Sequence, residues 1–325
     1  MGVHVRTHVQ LGRNRRVIYP RPVSVLSPVI NKDNVHLKSM QGMGDNIFQR
    51  PYVYTLCGLF NNVYLNTPWP HLYWDMPENL NLFNPNSKLR TQKKNCNLNA
   101  DLYGNKIPPG SATLYRPAYR LKRSQSVYRD FDNRIPRTGF FFHMDPPGSW
   151  ANDLPFDPSE PFCLVRNTTT RREWFVKNRN CRNEYLQFAA RLYKKLTGCR
   201  IIEIADIDND VEKIDGEHIK VADLRLTKGE LSHPNLMWAF KNATAVISCT
   251  GFALPLSHMV KANALIIFGG YELPEWFEHE EHDCPNVLTI APDNPCGCYI
   301  KNHDCNLEIS RRRLRKKVKE LVSNG

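Results

Sequence analysis

The sequence predicts an α/β protein with two mostly parallel sheets, each covered by helices on both faces. Short apolar runs such as Phe162–Arg166, Ile201–Ile204, Ala245–Ser248 and Ala264–Phe268 have the length of buried strands. Between them lie stretches such as Glu184–Leu196, whose apolar residues recur near every 3.6 positions. Several strands run directly into turns of Gly, Thr and Asp, where open α/β sheets place their ligands. At 325 residues the chain exceeds the usual domain of roughly 100–200 residues, so two domains are expected.

In chain order, residues 1–34 carry Arg6, Arg13, Arg15, Arg16 and Arg21 among prolines and read as a basic N-terminal arm. Val35–Lys38 alternates like a strand, and Ile47–Leu56 reads as a helix that tolerates Pro51 only in or near its first turn. Gly42-Met43-Gly44-Asp45 is then a tight strand-to-helix turn. Glycines let backbone approach a ligand, and Asp45 serves either as a helix cap or as a base at the mouth of the domain. Asn62–Asn66 closes a β-α-β unit. The aromatic stretch Pro68–Asp75 reads either as loop packing or as a platform for a second substrate. Residues 77–138 show little periodicity, yet a structureless loop of that length is exceptional, so short elements are expected within them. Gly139–Met144 reads as a strand, and the prolines that follow mark a linker at 151–161 between domains at 35–150 and 162–308.

The second half is more regular. After Phe162–Arg166 come the helix Glu184–Leu196, stopped at Gly198, then strand Ile201–Ile204 and a further strand between Val221 and Leu226. Helix Pro234–Asn242, strand Ala245–Ser248, helix Phe252–Lys261 and strand Ala264–Phe268 follow. Residues 309–325 form a basic C-terminal helix with Leu314, Val318 and Leu321 on one stripe.

The chain carries 44 Lys and Arg against 32 Asp and Glu, a net charge of +12 that favours polyanionic partners or simply keeps the protein dispersed. No apolar run reaches the roughly 18 residues of a membrane span, and residues 1–16 lack the apolar core of a secretion signal. The ten cysteines form no dense framework, so a reducing, cytoplasmic setting with free thiols is expected. Cys284, Cys296, Cys298, His303 and Cys305 cluster in sequence without the paired C-x2-C of common zinc sites. The reading is therefore no metal, with a structural zinc on Cys284, Cys296, Cys298 and Cys305 as the alternative.

Two strand ends suit an anion. Asn167-Thr168-Thr169-Thr170-Arg171-Arg172 follows one strand, and Cys249-Thr250-Gly251-Phe252 follows another at a helix start. Hydroxyls, backbone N–H groups and arginines there would hold a diphosphate, although Thr and Gly also serve as plain caps.

Together, Gly42-Met43-Gly44-Asp45, Thr169-Thr170-Arg171 and Thr250-Gly251 followed by Phe268-Gly269 resemble, in order and spacing, the signature turns of the ADP-heptose:lipopolysaccharide heptosyltransferases. That resemblance implies the GT-B architecture, two facing Rossmann-like domains with acceptor on the first and nucleotide sugar on the second. It also implies a metal-independent, inverting glycosyl transfer with no cofactor beyond the donor substrate. Asp45 would be the base, with Thr169, Thr170, Arg171, Thr250 and Gly251 on the donor phosphates. The family's aspartate before Thr-Gly is Cys249 here, its histidine falls at Leu254, and its lysine after Thr-Thr-Arg has Lys177 as nearest counterpart. In GT-B enzymes the terminal helix crosses back to the first domain; contact with nucleic acid or an anionic membrane surface are the other readings of 309–325. The expected acceptor is a polyanion such as a phosphorylated lipopolysaccharide core sugar. The alternatives are a hydroxylated base in DNA, or a non-catalytic nucleotide or nucleic-acid binding protein of the same fold.

Overall fold

Two parallel sheets organise the chain. In the first half β1 (Asn34–Lys38), β2 (Asn62–Asn66), β3 (Leu80–Phe83) and β4 (Ala112–Tyr115) pair in the order β3-β2-β1-β4. Val35 stands opposite both Val63 and Ala112, so the strand order reverses at β1. The computed structural model describes residues 33–38, 40–104, 106–115, 143–173, 176, 178–208, 210–277, 284–298, 300 and 302–325. Most of the basic arm over 1–34, the expected strand over 139–142 and Lys177 lie outside these residues.

Helix α1 (Met43–Leu59) connects β1 to β2 and begins earlier than its apolar pattern suggested. Asn46 explains the early start. Its side-chain amide donates to the carbonyls of Met40 (2.6 Å) and Gly42 (2.8 Å), stapling the turn onto the helix. Pro51 was expected near the first turn and instead lies in the interior. An interior proline costs about 3 kcal/mol. Burial of Ile47, Phe48, Tyr52, Val53 and Leu56 offsets it, a tertiary effect that local propensity does not register. The region over 77–138 contains β3, helix α2 (Arg90–Leu98) and β4. Helix α2 has almost no apolar stripe because polar contacts hold it, among them Gln92 Nε2 to the Gln41 carbonyl at 2.8 Å.

The larger sheet comprises β5 (Phe162–Arg166), β7 (Arg200–Ile204), β9 (Leu224–Leu226), β10 (Ala245–Cys249), β11 (Ala264–Ile267) and β12 (Val287–Ile290). Their order is β12-β11-β10-β5-β7-β9, all parallel, with the reversal between β10 and β5. A separate antiparallel pair joins β6 (Thr169–Arg171) to β8 (Glu212–Ile214). On one face Cys163, Val165, Ala245, Ile247, Leu265 and Ile267, alternate residues of adjacent strands, bury against helices α3 (Asn183–Thr197) and α6 (Arg311–Ser323). Helices α4 (His233–Asn242) and α5 (Ala253–Met259) complete the half, and α5 lies against β10, β11 and β12.

Leu314, Val318 and Leu321 of α6 are fully buried against α3 and the β11–β12 edge. The expected crossing of this helix to the first sheet is therefore corrected: its apolar stripe is consumed by the second sheet's core. The same burial leaves no apolar face for insertion into a membrane surface. No helix among the described residues is long and apolar enough to cross a membrane. All ten cysteines are free thiols. Both sheets belong to one compact unit, Asn31–Gly325.

Candidate functional site

The carboxyl ends of the two sheets face one cavity of about 700 Å³. Both strand-order reversals open onto it, as expected for ligand sites in open α/β sheets. Gly42, Met43, Gly44 and Asp45 line it from the first half; Thr169, Arg171, Thr250 and Gly251 line it from the second. Of the remaining expected site residues, Thr170 is not among the lining residues, because it alternates to the other side of β6 opposite Lys213.

Asp45 is the third residue of α1, so the N-cap position falls to Gly42, which offers no side-chain hydrogen bond. The Asp45 carboxylate folds back over Gly42; a Cβ added there would lie 2.6 Å from Asp45 Oδ2. A negative charge in the first turn is favoured by the unpaired N–H groups of the helix start. The turn is held rigidly from behind. The Gln41 carbonyl accepts from Trp69 Nε1 and Gln92 Nε2, both at 2.8 Å. Asn46 Oδ1 accepts from Thr67 Oγ1 at 2.7 Å. Farther along α1, fully buried Arg50 grips Asp75 with Nη2 to Oδ2 at 3.0 Å and also donates to the Leu72 carbonyl. The aromatic stretch thus mostly packs: Trp69, Leu72 and Tyr73 are buried, and only Trp69 of the three lines the cavity.

The turns of the two halves touch. A Cβ at Gly44 would sit 3.3 Å from Pro255 Cγ and 3.4 Å from Phe252 Cα, so the absent side chain permits the close approach of α1 and α5. Gly251 has a φ of +109°, which side-chain-bearing residues rarely adopt. Helix α2 bridges the halves as well. Arg90 pairs directly with Asp206 (3.2 Å) and Glu212 (3.4 Å) of the second half.

The charges differ from the sequence expectation. Arg171 Nε lies 2.6 Å from Glu212 Oε2, and Thr169 Oγ1 donates to Glu212 Oε1 at 2.6 Å. Both expected phosphate donors are thus engaged by one buried carboxylate, a partner more than forty residues away that no local motif discloses. Arg179 is likewise paired with Glu272 at 3.2 Å. Arg166, the last residue of β5, was not singled out from the sequence. Its guanidinium stacks over the Phe252 ring at 4.7 Å and donates to Cys249 Sγ at 3.1 Å. Among the described residues no carboxylate pairs with it, so it supplies an unneutralised charge to the cavity wall. Its position at a strand's carboxyl end, beside Asn167, was the available signal. Cys249, the last residue of β10, thus offers Arg166 a sulfur and no carboxylate.

His233 was also missed. It lies under the Trp69 ring, centroids 5.1 Å apart, with neither ring nitrogen hydrogen-bonded to a described residue. Burial pushes its imidazole down to about 3, and nearby His71 adds to the shift. It is a neutral, apolar-packed wall residue near neutral pH. Of the expected cysteine set, Cys284 points away and donates its thiol to the His258 carbonyl at 3.3 Å. Cys296, Cys298 and Cys305 instead converge with His303, outside the cavity.

The arrangement is that of the GT-B fold: two parallel-sheet halves whose strand ends face a shared cleft. No family model matches the sequence. No curated protein matches it in sequence either. Solved structures agree with the fold. The chain is similar to a family 9 glycosyl transferase from Veillonella parvula DSM 2008, with a TM-score of 0.58 and 12% identity over 91% of this chain and 99% of that one. It is similar to the iron-containing dodecameric glycosyltransferase TibC from enterotoxigenic E. coli H10407, with a TM-score of 0.55 and 13% identity over 90% of this chain and 78% of that one. For the ADP-heptose lipopolysaccharide heptosyltransferase II of E. coli the TM-score is 0.54 and the identity 10%, over 90% of this chain and 99% of that one. At such identities the likeness is one of fold.

Proposed function

We propose that the protein is an inverting glycosyltransferase that moves a sugar from a nucleoside diphosphate donor to a hydroxyl of a polyanionic acceptor. The carrying observation is that Asp45 and the Thr250–Gly251 turn, on opposite halves, line one cavity together with Arg166, which ends β5 beside β10. TibC, a protein of similar fold, has been solved with ADP-D-β-D-heptose, which favours a nucleotide-sugar donor for this cleft too.

In this reading the donor lies against the second sheet. Arg166 and the N–H groups of the Thr250–Phe252 turn meet the charge that develops on the departing diphosphate. Helix α5 has seven residues, so its dipole is small and the arginine carries most of that task. Asp45 accepts the proton of the acceptor hydroxyl as its oxygen attacks the anomeric carbon. The bond to the diphosphate oxygen breaks on the opposite side, so configuration inverts. No metal is required where a fixed guanidinium balances the leaving group. The net charge of +12 supports an anionic acceptor, of the class of phosphorylated lipopolysaccharide core sugars.

The test begins with the melting temperature in ADP, GDP, UDP and CDP without metal. A ligand at about a hundred times its Kd adds roughly 2.7 kcal/mol of stability. Selective stabilisation by one nucleotide is expected. With the matching sugar nucleotide, D45N should lower acceptor-dependent release of the nucleoside diphosphate by about 10²–10⁴-fold while keeping the melting shift. Absence of any shift, or full activity in D45N, rejects the reading.

A further inference from the structure

Between β12 and α6 the described residues from 291 to 310 lie in neither helix nor strand. A segment of that length inside a compact unit needs a source of order other than an apolar core. Three thiols and an imidazole meet in it. One ligand atom each from Cys296, Cys298, His303 and Cys305 lies within 4.8 Å of every other. His303 Nδ1 is 3.5 Å from the sulfur of each of the three cysteines, and Cys298 Sγ is 3.5 Å from Cys305 Sγ.

Those distances can be set against a metal centre. A tetrahedron with zinc–sulfur bonds of about 2.3 Å and zinc–nitrogen bonds of about 2.05 Å has S···N edges of about 3.6 Å and S···S edges of about 3.8 Å. The three S···N edges and the Cys298–Cys305 edge are close to these values, the two remaining S···S edges lie within 4.8 Å, and the ring nitrogen is equidistant from three sulfurs. We propose that Cys296, Cys298, His303 and Cys305 form a structural site for a tetrahedral, thiolate-seeking divalent ion, zinc or ferrous iron. Four protein ligands complete the shell, so the ion has no open position for a substrate and its role is architectural. On loading, the three thiols release their protons to solvent and the imidazole binds as the neutral ring through Nδ1.

The surroundings suit that role. The Ile300 N–H points at Cys298 Sγ at 3.4 Å, the kind of outer contact that supports a bound thiolate. The loop is pressed onto the end of β11: the Gly297 N–H donates to the Gly270 carbonyl at 3.0 Å, and a Cβ at Gly270 would meet Cys305 Cβ at 2.4 Å. Asn178 links it to the cleft, since its side-chain amide donates to the His303 carbonyl and its own carbonyl accepts from the Tyr271 N–H at 3.2 Å. Arg179 and Asn180, the next two residues, line the cavity. The ion therefore clamps the corner that carries part of the cleft wall.

Elemental analysis of untagged protein, purified without chelator under reducing conditions, tests this. About one zinc or iron per chain is expected, and the element found distinguishes the two. Cobalt exchanged into the site should give the visible bands of a tetrahedral ion with thiolate charge transfer. C298S/C305S should lose both metal and spectrum; C284S, whose thiol lies outside the cluster, should keep both. If the double variant does not fold, H303A, which changes an exposed ligand, should still weaken cobalt binding and shift its spectrum. A metal-free wild-type protein that does not take up cobalt, retention of the ion by folded C298S/C305S, or a Cys298–Cys305 disulfide in the reduced preparation overturns the site. None of these readouts depends on the reaction proposed for the cleft.

Discussion

Acidification from pH 7 to 5 should destabilise this protein by at least about 4 kcal/mol, chiefly through two buried histidines, with His71, which burial also holds low, acting in the same direction. Burial pushes His233 from 6.5 down to about 3, with a smaller contribution from His71. Burial likewise pushes His258 from 6.5 down to about 4, with His143 adding to it. Both rings are neutral in the folded protein at pH 5, whereas in the unfolded chain both are protonated below 6.5. The unfolded state then binds more protons, so stability rises with pH and falls as pH drops through 6.5, until the folded values are reached. At about 1.4 kcal/mol per pH unit, each ring loses about 2 kcal/mol by pH 5. That is a large part of the roughly 5–15 kcal/mol that holds a typical domain. Carboxyl groups held low, such as Asp223, titrate below 3.8 and do not contribute at pH 5. Urea unfolding at pH 7 and 5 measures the difference. In H233N the pH-dependent part should shrink by about 2 kcal/mol, whatever the variant's stability at pH 7. Equal wild-type stability at the two pH values, or an unchanged difference in H233N, would refute the reasoning.

Two substitutions probe the contact between halves and the cleft charge. G44V should destabilise by about 1–3 kcal/mol through overpacking, because even a Cβ there stands 3.3 Å from Pro255 and 3.4 Å from the Phe252 backbone. An unchanged denaturation midpoint would mean that α1 and α5 are not in that contact. R166M keeps apolar contact with Phe252 but removes the unpaired charge, and should weaken binding of the preferred nucleoside diphosphate by about 10–100-fold. Calorimetric titration reads it directly, and unaltered affinity would move the diphosphate elsewhere in the cleft.

Part of the cleft was legible because it depends on local chemistry. The glycines around Asp45 and the Thr250–Gly251 turn follow strands recognisable from a handful of apolar residues. Backbone geometry alone brings such turns to the carboxyl ends of parallel strands. The helix over 184–196, with its stop at Gly198, was readable for the same reason, since period and cap are properties of neighbouring residues. Helix α2 was not readable, because Gln92 and Arg90 find their partners in Gln41 and Asp206, far away along the chain.

What the sequence by itself determined, then, is the alternation of strands and helices, the fold class and the turns that carry Asp45 and Gly251. The tertiary structure alone decided which charges remain available in the cleft. Glu212 satisfies Arg171 and Thr169, and Arg166 is left facing Phe252. It also decided that α6 buries its stripe on the second sheet, and that His303 rather than Cys284 joins the three thiols. The physical reason is common to all three. Periodicity, capping and turn chemistry act over a few residues, whereas ion pairing, burial and ligand convergence are set by which distant segments the fold brings within a few ångströms.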